Sequence, residues 1–149
     1  MAKLDLRHAT SRDVAELASF DHVAAMERRR IELIESSVAN EACLVAQIDD
    51  QMAGYGIFDY SFFHFGFIEL IYVRVDMRRQ GVGTALIRMM EELCTTPKLF
   101  TSTNESNLPM QSLLRACGFL PSGRIDNLDE GDPELIFFKR LHETPSGAH

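Results

Sequence analysis

The chain has 149 residues, a formal net charge of −7 and a 46% share of hydrophobic residues. That is enough apolar material for one domain with a real core, which excludes disorder for the chain as a whole. The negative balance argues against sequence-independent binding to nucleic acid, and no apolar run reaches the roughly 18 residues that a membrane span needs. The start, Met1-Ala2-Lys3-Leu4-Asp5, lacks the apolar centre of a signal peptide, so a cytoplasmic location is expected. Cys43, Cys94 and Cys117 are odd in number, form no Cys-x-x-Cys and sit in apolar contexts, which points to buried packing rather than a disulfide frame or zinc site. His8, His22, His64, His142 and His149 show no metal-ligand spacing, so no metal is expected.

Leu4 to Ala9 alternates and predicts a first strand. Thr10 or Ser11 is a candidate N-cap with Asp13 in the first turn, and Val14, Leu17 and Ala18 then follow helical spacing. A second helix is predicted over His22 to Ser37, with Val23, Met26, Ile34 and Val38 on its apolar side and Arg28-Arg29-Arg30 on its solvated face. Cys43 to Ile48 and Met52 to Tyr60 read as a hairpin about Asp49-Asp50-Gln51. Gly54 and Gly56 inside the returning strand imply a bulge or a close approach.

Phe58 to Phe67 is dense in aromatics and reads either as core plus loop or as the wall of an acceptor pocket. Ile68 to Val75 is an almost continuous apolar run, the pattern of a central strand covered on both faces. Its one carboxylate, Glu69, would have its pKa raised by burial and is the candidate general base, with His64 in reserve. A polar turn, Asp76 to Thr84, leads into an amphipathic helix over Ala85 to Cys94, which Pro97 brings to an end.

Lys98 to Thr103 is the next strand. Asn107 caps a helix with Pro109 in its first turn, an apolar stripe of Met110, Leu113, Leu114 and Cys117, and Gly118 as its stop. After Phe119 the chain is read as leading out, with no strand assigned until the closing one at Leu135 to Leu141. Asp126 to Glu134 is acidic and reads either as a solvated loop or as a guide for a cationic partner. Thr144 to His149 is expected to fray.

The turn carries the chemistry. Gly81 and Gly83 flank Val82 where a strand hands over to a helix, so another group can approach the backbone closely. The first N–H groups of the helix and its dipole suit a phosphate or pyrophosphate, and Arg78, Arg79 and Gln80 add charge and donors. A Walker A loop and a dinucleotide fingerprint both fail on spacing. What fits is Arg-x-x-Gly-x-Gly from Arg78 to Gly83, which resembles the acyl-CoA-binding signature of the GNAT superfamily of N-acetyltransferases. The resemblance runs from about Leu4 to Leu141.

That resemblance implies one acetyltransferase domain over residues 1–142, of mixed α/β (α+β) class. Its central sheet would be mostly antiparallel, flanked by helices and splayed at the central strands. It implies acetyl-CoA as cofactor and direct transfer to a primary amine, with no covalent enzyme intermediate. Backbone groups of Val73, Arg74 and Val75 would serve the pantetheine arm, one N–H polarising the thioester carbonyl. Arg78, Arg79, Gln80, Gly81, Val82, Gly83 and Thr84 would hold the pyrophosphate, with Asn104 and Asn107 as further cofactor contacts. Glu69 matches the position where relatives place a base or water anchor. Relatives often carry a Tyr acid four residues before the Gly-Phe pair; here Leu114 stands before Gly118-Phe119.

The expected partner is a small-molecule or peptide amine of cationic character, with neither nucleic acid nor a membrane, and a homodimer is compatible with the reading. A catalytically weak acyl-CoA sensor or scaffold of the same fold is the competing class, kept open by Leu114. A nucleotide-binding domain is a third.

Overall fold

In the computed structural model residues 2–143 are described, so the tail expected to fray from Thr144 lies outside the described residues. The strands are β1 (Leu4–His8), β2 (Cys43–Ile48), β3 (Gln51–Phe62), β4 (Phe65–Val73), β5 (Lys98–Asn104), β6 (Leu120–Ile125) and β7 (Glu134–Arg140). The helices are α1 (Val14–Phe20), α2 (Arg28–Ala39), α3 (Val82–Leu93) and α4 (Leu108–Ala116). The strands form one mixed sheet in the order β1-β2-β3-β4-β5-β7-β6. β1–β2, β2–β3, β5–β7 and β6–β7 pair antiparallel. β4–β5 is parallel, with a register of only three residues, Gly66 to Ile68 against Leu99 to Thr101. The mixed, mostly antiparallel sheet with flanking helices is the predicted class.

The chain falls into two compact units. The first comprises Met1–Phe58 and Leu70–Met89. Its core gathers Leu17, Ile34, Cys43, Val45, Tyr55, Ile57 and Tyr72, with Val14, Ile31 and Val38 packed at its margin. Thr10 and Asp13 form a capping box that opens a short 3-10 turn ahead of α1, as the sequence suggested. Gly54 lies under β4: a Cβ there would stand 2.5 Å from the Tyr72 carbonyl oxygen and 3.2 Å from Val73 Cα. The register shift between Ala46 and Gln47 is the bulge that the strand glycines imply.

The expected second helix needs correction. Residues 22–26 form turns, Glu27 is extended and α2 begins only at Arg28. The cause is Asp21, whose Oδ1 accepts from the N–H groups of Val23 and Ala24 and closes a separate local turn. Met26 is consequently 84% exposed instead of facing the core. Arg28 and Arg29 are exposed as expected, but Arg30 turns inward to the buried Asp21 carboxylate at 2.8 Å. The Tyr55 hydroxyl donates to that same carboxylate. Burial opposes ionisation of Asp21, yet the Tyr55 hydrogen bond and the Arg30 charge together hold its pKa below the usual carboxylate range.

The second unit comprises Asp59–Glu69 and Met90–His149, described to residue 143. Phe119, Phe137, Leu99 and Leu114 are buried in it. Half-buried aromatic rings run along one layer: Phe62 stands 5.2 Å from Phe67 and 5.0 Å from Phe100, and Phe100 stands 6.0 Å from Phe138. Gly118 ends α4 at φ +92, and Lys139 Nζ donates to the Cys117 carbonyl there and to Glu91. β6 was not foreseen. Every residue in it is exposed, and Pro121, Ser122 and Gly123 suppress strand propensity, so only its pairing with β7 defines it.

β4 is not covered on both faces throughout. Gly66, Ile68 and Tyr72 are buried, while Phe65 and Phe67 are half-buried and Glu69 is exposed. All three cysteines are buried, and burial pushes the Cys43 thiol up to about 11. Among the described residues no group of three or more His, Cys, Asp or Glu could hold a metal ion, and no helix is long and apolar enough to cross a membrane.

Candidate active site

The turn between β4 and α3 belongs to the first unit. β4 ends at Val73, a 3-10 turn covers Val75–Met77, and α3 begins at Val82, three residues earlier than the stripe alone suggested. Arg79 at φ +67 and Gly81 at φ +80 are left-handed, the alternation that builds a concavity of backbone N–H groups. A Cβ on Gly81 would meet nothing within 4 Å, so the space beside the turn is open. The first intrahelical bond of α3 runs from Ala85 N–H to Gly81 O, which leaves the N–H groups of Val82, Gly83 and Thr84 ahead of the helical ladder. No acidic side chain occupies the first turn. Donors, dipole, open space and exposed Arg78, Arg79 and Gln80 fit a diphosphate.

Two of the expected groups are tied into the scaffold. Arg78 Nε donates to the Val73 carbonyl at 3.2 Å, which staples the turn to the strand end. The Arg74 N–H donates to Ala53 O and its carbonyl accepts from Met77 N–H, so the backbone of Arg74 already serves β3 and the 3-10 turn. Its guanidinium bonds Asp76 and Met52 O and lies 5.6 Å from the Phe20 ring.

The carboxyl site belongs to the second unit. Glu69 is exposed as a residue, yet burial of its carboxyl end, reinforced by a hydrogen bond and like charge from Asp59, raises its pKa to about 7. Asp59 is the residue that sequence reasoning missed. Its Oδ1 accepts from the Ser61 N–H at 3.0 Å and from the Ser61 hydroxyl at 2.6 Å. The spacing Asp-x-Ser is an Asx-turn signal, so half of the arrangement was legible.

His64 shares the β3–β4 turn with Phe63, at φ +69 and +54. It is five residues from Glu69, about 16 Å along an extended strand. Asn104 Nδ2 donates to Asp129 Oδ2 and Asp132 O, which engages it with the acidic loop. That loop is further held by Asp132 accepting from the Ser106 N–H and hydroxyl, so it is a clamped segment. Asn107 Oδ1 accepts from Met110 N–H and caps α4. Leu114 is fully buried and offers no proton. Among the tyrosines, Tyr72 contacts His22 Nδ1 at 2.6 Å and Tyr55 serves Asp21.

Comparison with known proteins gives these features a context. Residues 9–119 match the acetyltransferase (GNAT) family. The chain is 28% identical over 116 residues to the peptidyl-lysine N-acetyltransferase YjaB of Salmonella typhimurium, covering 78% of this chain and 77% of that protein. A GNAT-family acetyltransferase structure from Bacillus cereus superposes with a TM-score of 0.86 at 34% identity, over 93% of this chain and 97% of that one. YncA of Salmonella typhimurium, solved with its cofactor acetyl-CoA, shares the fold with a TM-score of 0.74 at 15% identity, over 96% of each chain. With a family match over residues 9–119, a span that includes Arg78-x-x-Gly81-x-Gly83, the chain belongs to the GNAT family of acetyltransferases.

Proposed function

We propose that this acetyltransferase moves an acetyl group from acetyl-CoA to a primary amine on a cationic small molecule or peptide. The observation that carries the reading is Glu69, a carboxyl whose proton comes off near neutrality beside a second carboxyl, Asp59. Bound acetyl-CoA supplies an acyl group activated as a thioester. The N–H groups of Val82, Gly83 and Thr84, with Arg79 and Gln80, hold its diphosphate, and the backbone at Val73, the end of β4, and at Val75, in the 3-10 turn, lies along the path to that turn. Above about pH 7 the Glu69 carboxylate takes a proton from the acceptor nitrogen, directly or through a water, so that the neutral amine attacks. The new bond is N–C, the bond lost is C–S, and the thiolate leaves with a proton from solvent, since Leu114 has none to give.

The net charge of −7 and the paired carboxyls favour a cationic acceptor. The half-buried Phe62, Phe67 and Phe100 would hold its alkyl or cationic part. The YjaB relative is named for peptidyl-lysine, an acceptor of that kind. Initial rates on polyamine, lysine-peptide and acidic amino-acid acceptors test this, and preference for the acidic ones overturns it. The second reading, an acyl-CoA sensor without useful turnover, is favoured by Leu114. Absence of thiol release across the amine panel, with acetyl-CoA bound tightly, would establish it.

A further inference from the structure

In the second unit the two faces of the sheet differ. On β7, Lys139 points to the helices, where its Nζ donates to Glu91 of α3 and to the Cys117 carbonyl at the end of α4. Phe138 therefore lies on the opposite face. The strand registers draw a row across that face: Phe67 opposite Phe100, Phe100 opposite Phe138, and Phe138 opposite Leu120. Phe62 adds its ring 5.0 Å from Phe100, and Phe100 stands 6.0 Å from Phe138. The row ends in the open, since Leu120 on the edge strand β6 is 60% exposed. Ile125, on the same face of β6 by its pairing with Glu134, is 41% exposed. Singly exposed apolar residues are ordinary, whereas a contiguous row of this kind marks a binding surface.

What borders the row identifies its occupant. Burial alternates along β4 from Phe65 to Glu69, so Glu69 shares the face of Phe67, two residues further on. Toward that end β7 begins at Glu134, paired with Asn104 and Ile125, and the acidic loop precedes it. A cationic group suits the Glu69 end and an apolar group suits the Leu120 end. A free polyamine has nothing to lay on the row, and a second copy would bring its own charge of −7 to an acidic border. A peptide with a lysine and a large apolar side chain satisfies both ends. We infer that Phe138 and Leu120 form a specificity subsite for a large apolar side chain of a peptide acceptor whose lysine amine reaches Glu69. The inference rests on the proposed acceptor site at Glu69 and narrows its class to peptides. β6 is three strand spacings from β4, about 14 Å, and the row lies two residues back from Glu69, about 7 Å. The diagonal to Phe138 is then about 12 Å and that to Leu120 about 16 Å, the reach of about three to five residues of extended peptide.

The test measures acetylation, at saturating acetyl-CoA, of a polar lysine peptide in which one leucine is moved from one to seven positions away on either side. Lysine amide is the small-amine reference. Leucine about three to five positions from the lysine, on one side, raises kcat/KM by about tenfold over serine at the same place, as expected for a leucine only partly covered. The gain lies in KM, since contacts so far from the reacting atoms are made equally before and in the transition state. In Leu120→Ser, at an exposed position, the gain shrinks to about twofold or less, with circular dichroism showing an intact fold. A response indifferent to leucine position, or a gain undiminished in Leu120→Ser, overturns the inference. Lysine amide used as well as the best peptide also overturns it, while leaving the functional reading in place; no thiol release with any amine overturns both. A wild-type chain that sediments as a dimer and turns monomeric in Leu120→Ser puts a second copy on the row and likewise overturns it.

Discussion

Gly54→Ala is a single-methyl perturbation with a calculable consequence. The added Cβ would stand 2.5 Å from the Tyr72 carbonyl oxygen, 3.1 Å from Val82 Cγ1 and 3.2 Å from Val73 Cα, whereas real Cβ atoms essentially never come within 3.0 Å of a heavy atom. Two of the three obstacles are backbone, so no rotamer change relieves them, and the strands must part by about half an ångström. Overpacking of this kind costs about 1–3 kcal/mol, and the backbone origin of the clash puts it in the upper half of that range. Alanine recovers about 0.5–1 kcal/mol of strand entropy relative to glycine. The net destabilisation is therefore about 1–2 kcal/mol, or roughly 3–8 °C in Tm for a chain of this length. Urea titration followed by circular dichroism measures it, with an unchanged m-value showing that the unfolded state is not the cause. Val73 and Val82 also bracket the proposed diphosphate turn, so calorimetric acetyl-CoA affinity should fall as well. A Gly54→Ala protein as stable as the wild type would refute the packing argument.

Gly83→Asp would place a like charge among the first N–H groups of α3, and acetyl-CoA affinity should drop at least about tenfold; an unchanged Kd in a folded variant defeats the anion-site reading. Glu69→Gln should lower turnover at neutral pH and flatten the rise of rate through pH 7 while acetyl-CoA binding persists, so identical pH profiles would dismiss Glu69. Asp21→Ala strands Arg30 and the Tyr55 hydroxyl in the first core and should cost about 3–5 kcal/mol, checked by denaturant unfolding. Asp13, through its Arg7 hydrogen bond, and Asp21 both titrate below the unfolded value of about 3.9. Their stabilisation is complete above that value and lost as pH falls through the folded pKa values. Glu69 runs the other way, its contribution being complete below about pH 4.3 and lost as pH rises toward 7. Acetyl transfer should survive a chelator, and abolition by one would reveal a metal site.

What could be read in the sequence was local. The turn from Arg78 to Gly83 declares itself by spacing, and the stripe of α4 with its Asn107 cap and Gly118 stop is written in consecutive residues. Glu69 stood out because a carboxylate interrupts an apolar run. Its partner did not, because Asp59 is ten residues away and only the β3–β4 hairpin brings the two together. Arg30 was misassigned for a similar reason: an arginine in a run of three looks solvated until the fold supplies a buried Asp21. Met26 followed the helical period, but the Asx turn at Asp21 delayed the helix past it. β6 lacked any signal of its own, since a strand made of Leu120-Pro121-Ser122-Gly123-Arg124-Ile125 exists only by virtue of the neighbour it pairs with.

The division of the chain has a consequence for how this protein can be cut or recombined. Each unit is assembled from two separate segments, with the polypeptide passing from one to the other after Phe58, Glu69 and Met89. β3, β4 and α3 each contribute residues to both. No single contiguous fragment therefore contains either unit alone, and any truncation that removes one of them also removes strand or helix from the other. Limited proteolysis should yield intact chain or small peptides rather than a stable half-molecule. Exchange of the proposed acceptor-recognition features between relatives would have to proceed residue by residue along β3 and β4, not by swapping a terminal segment.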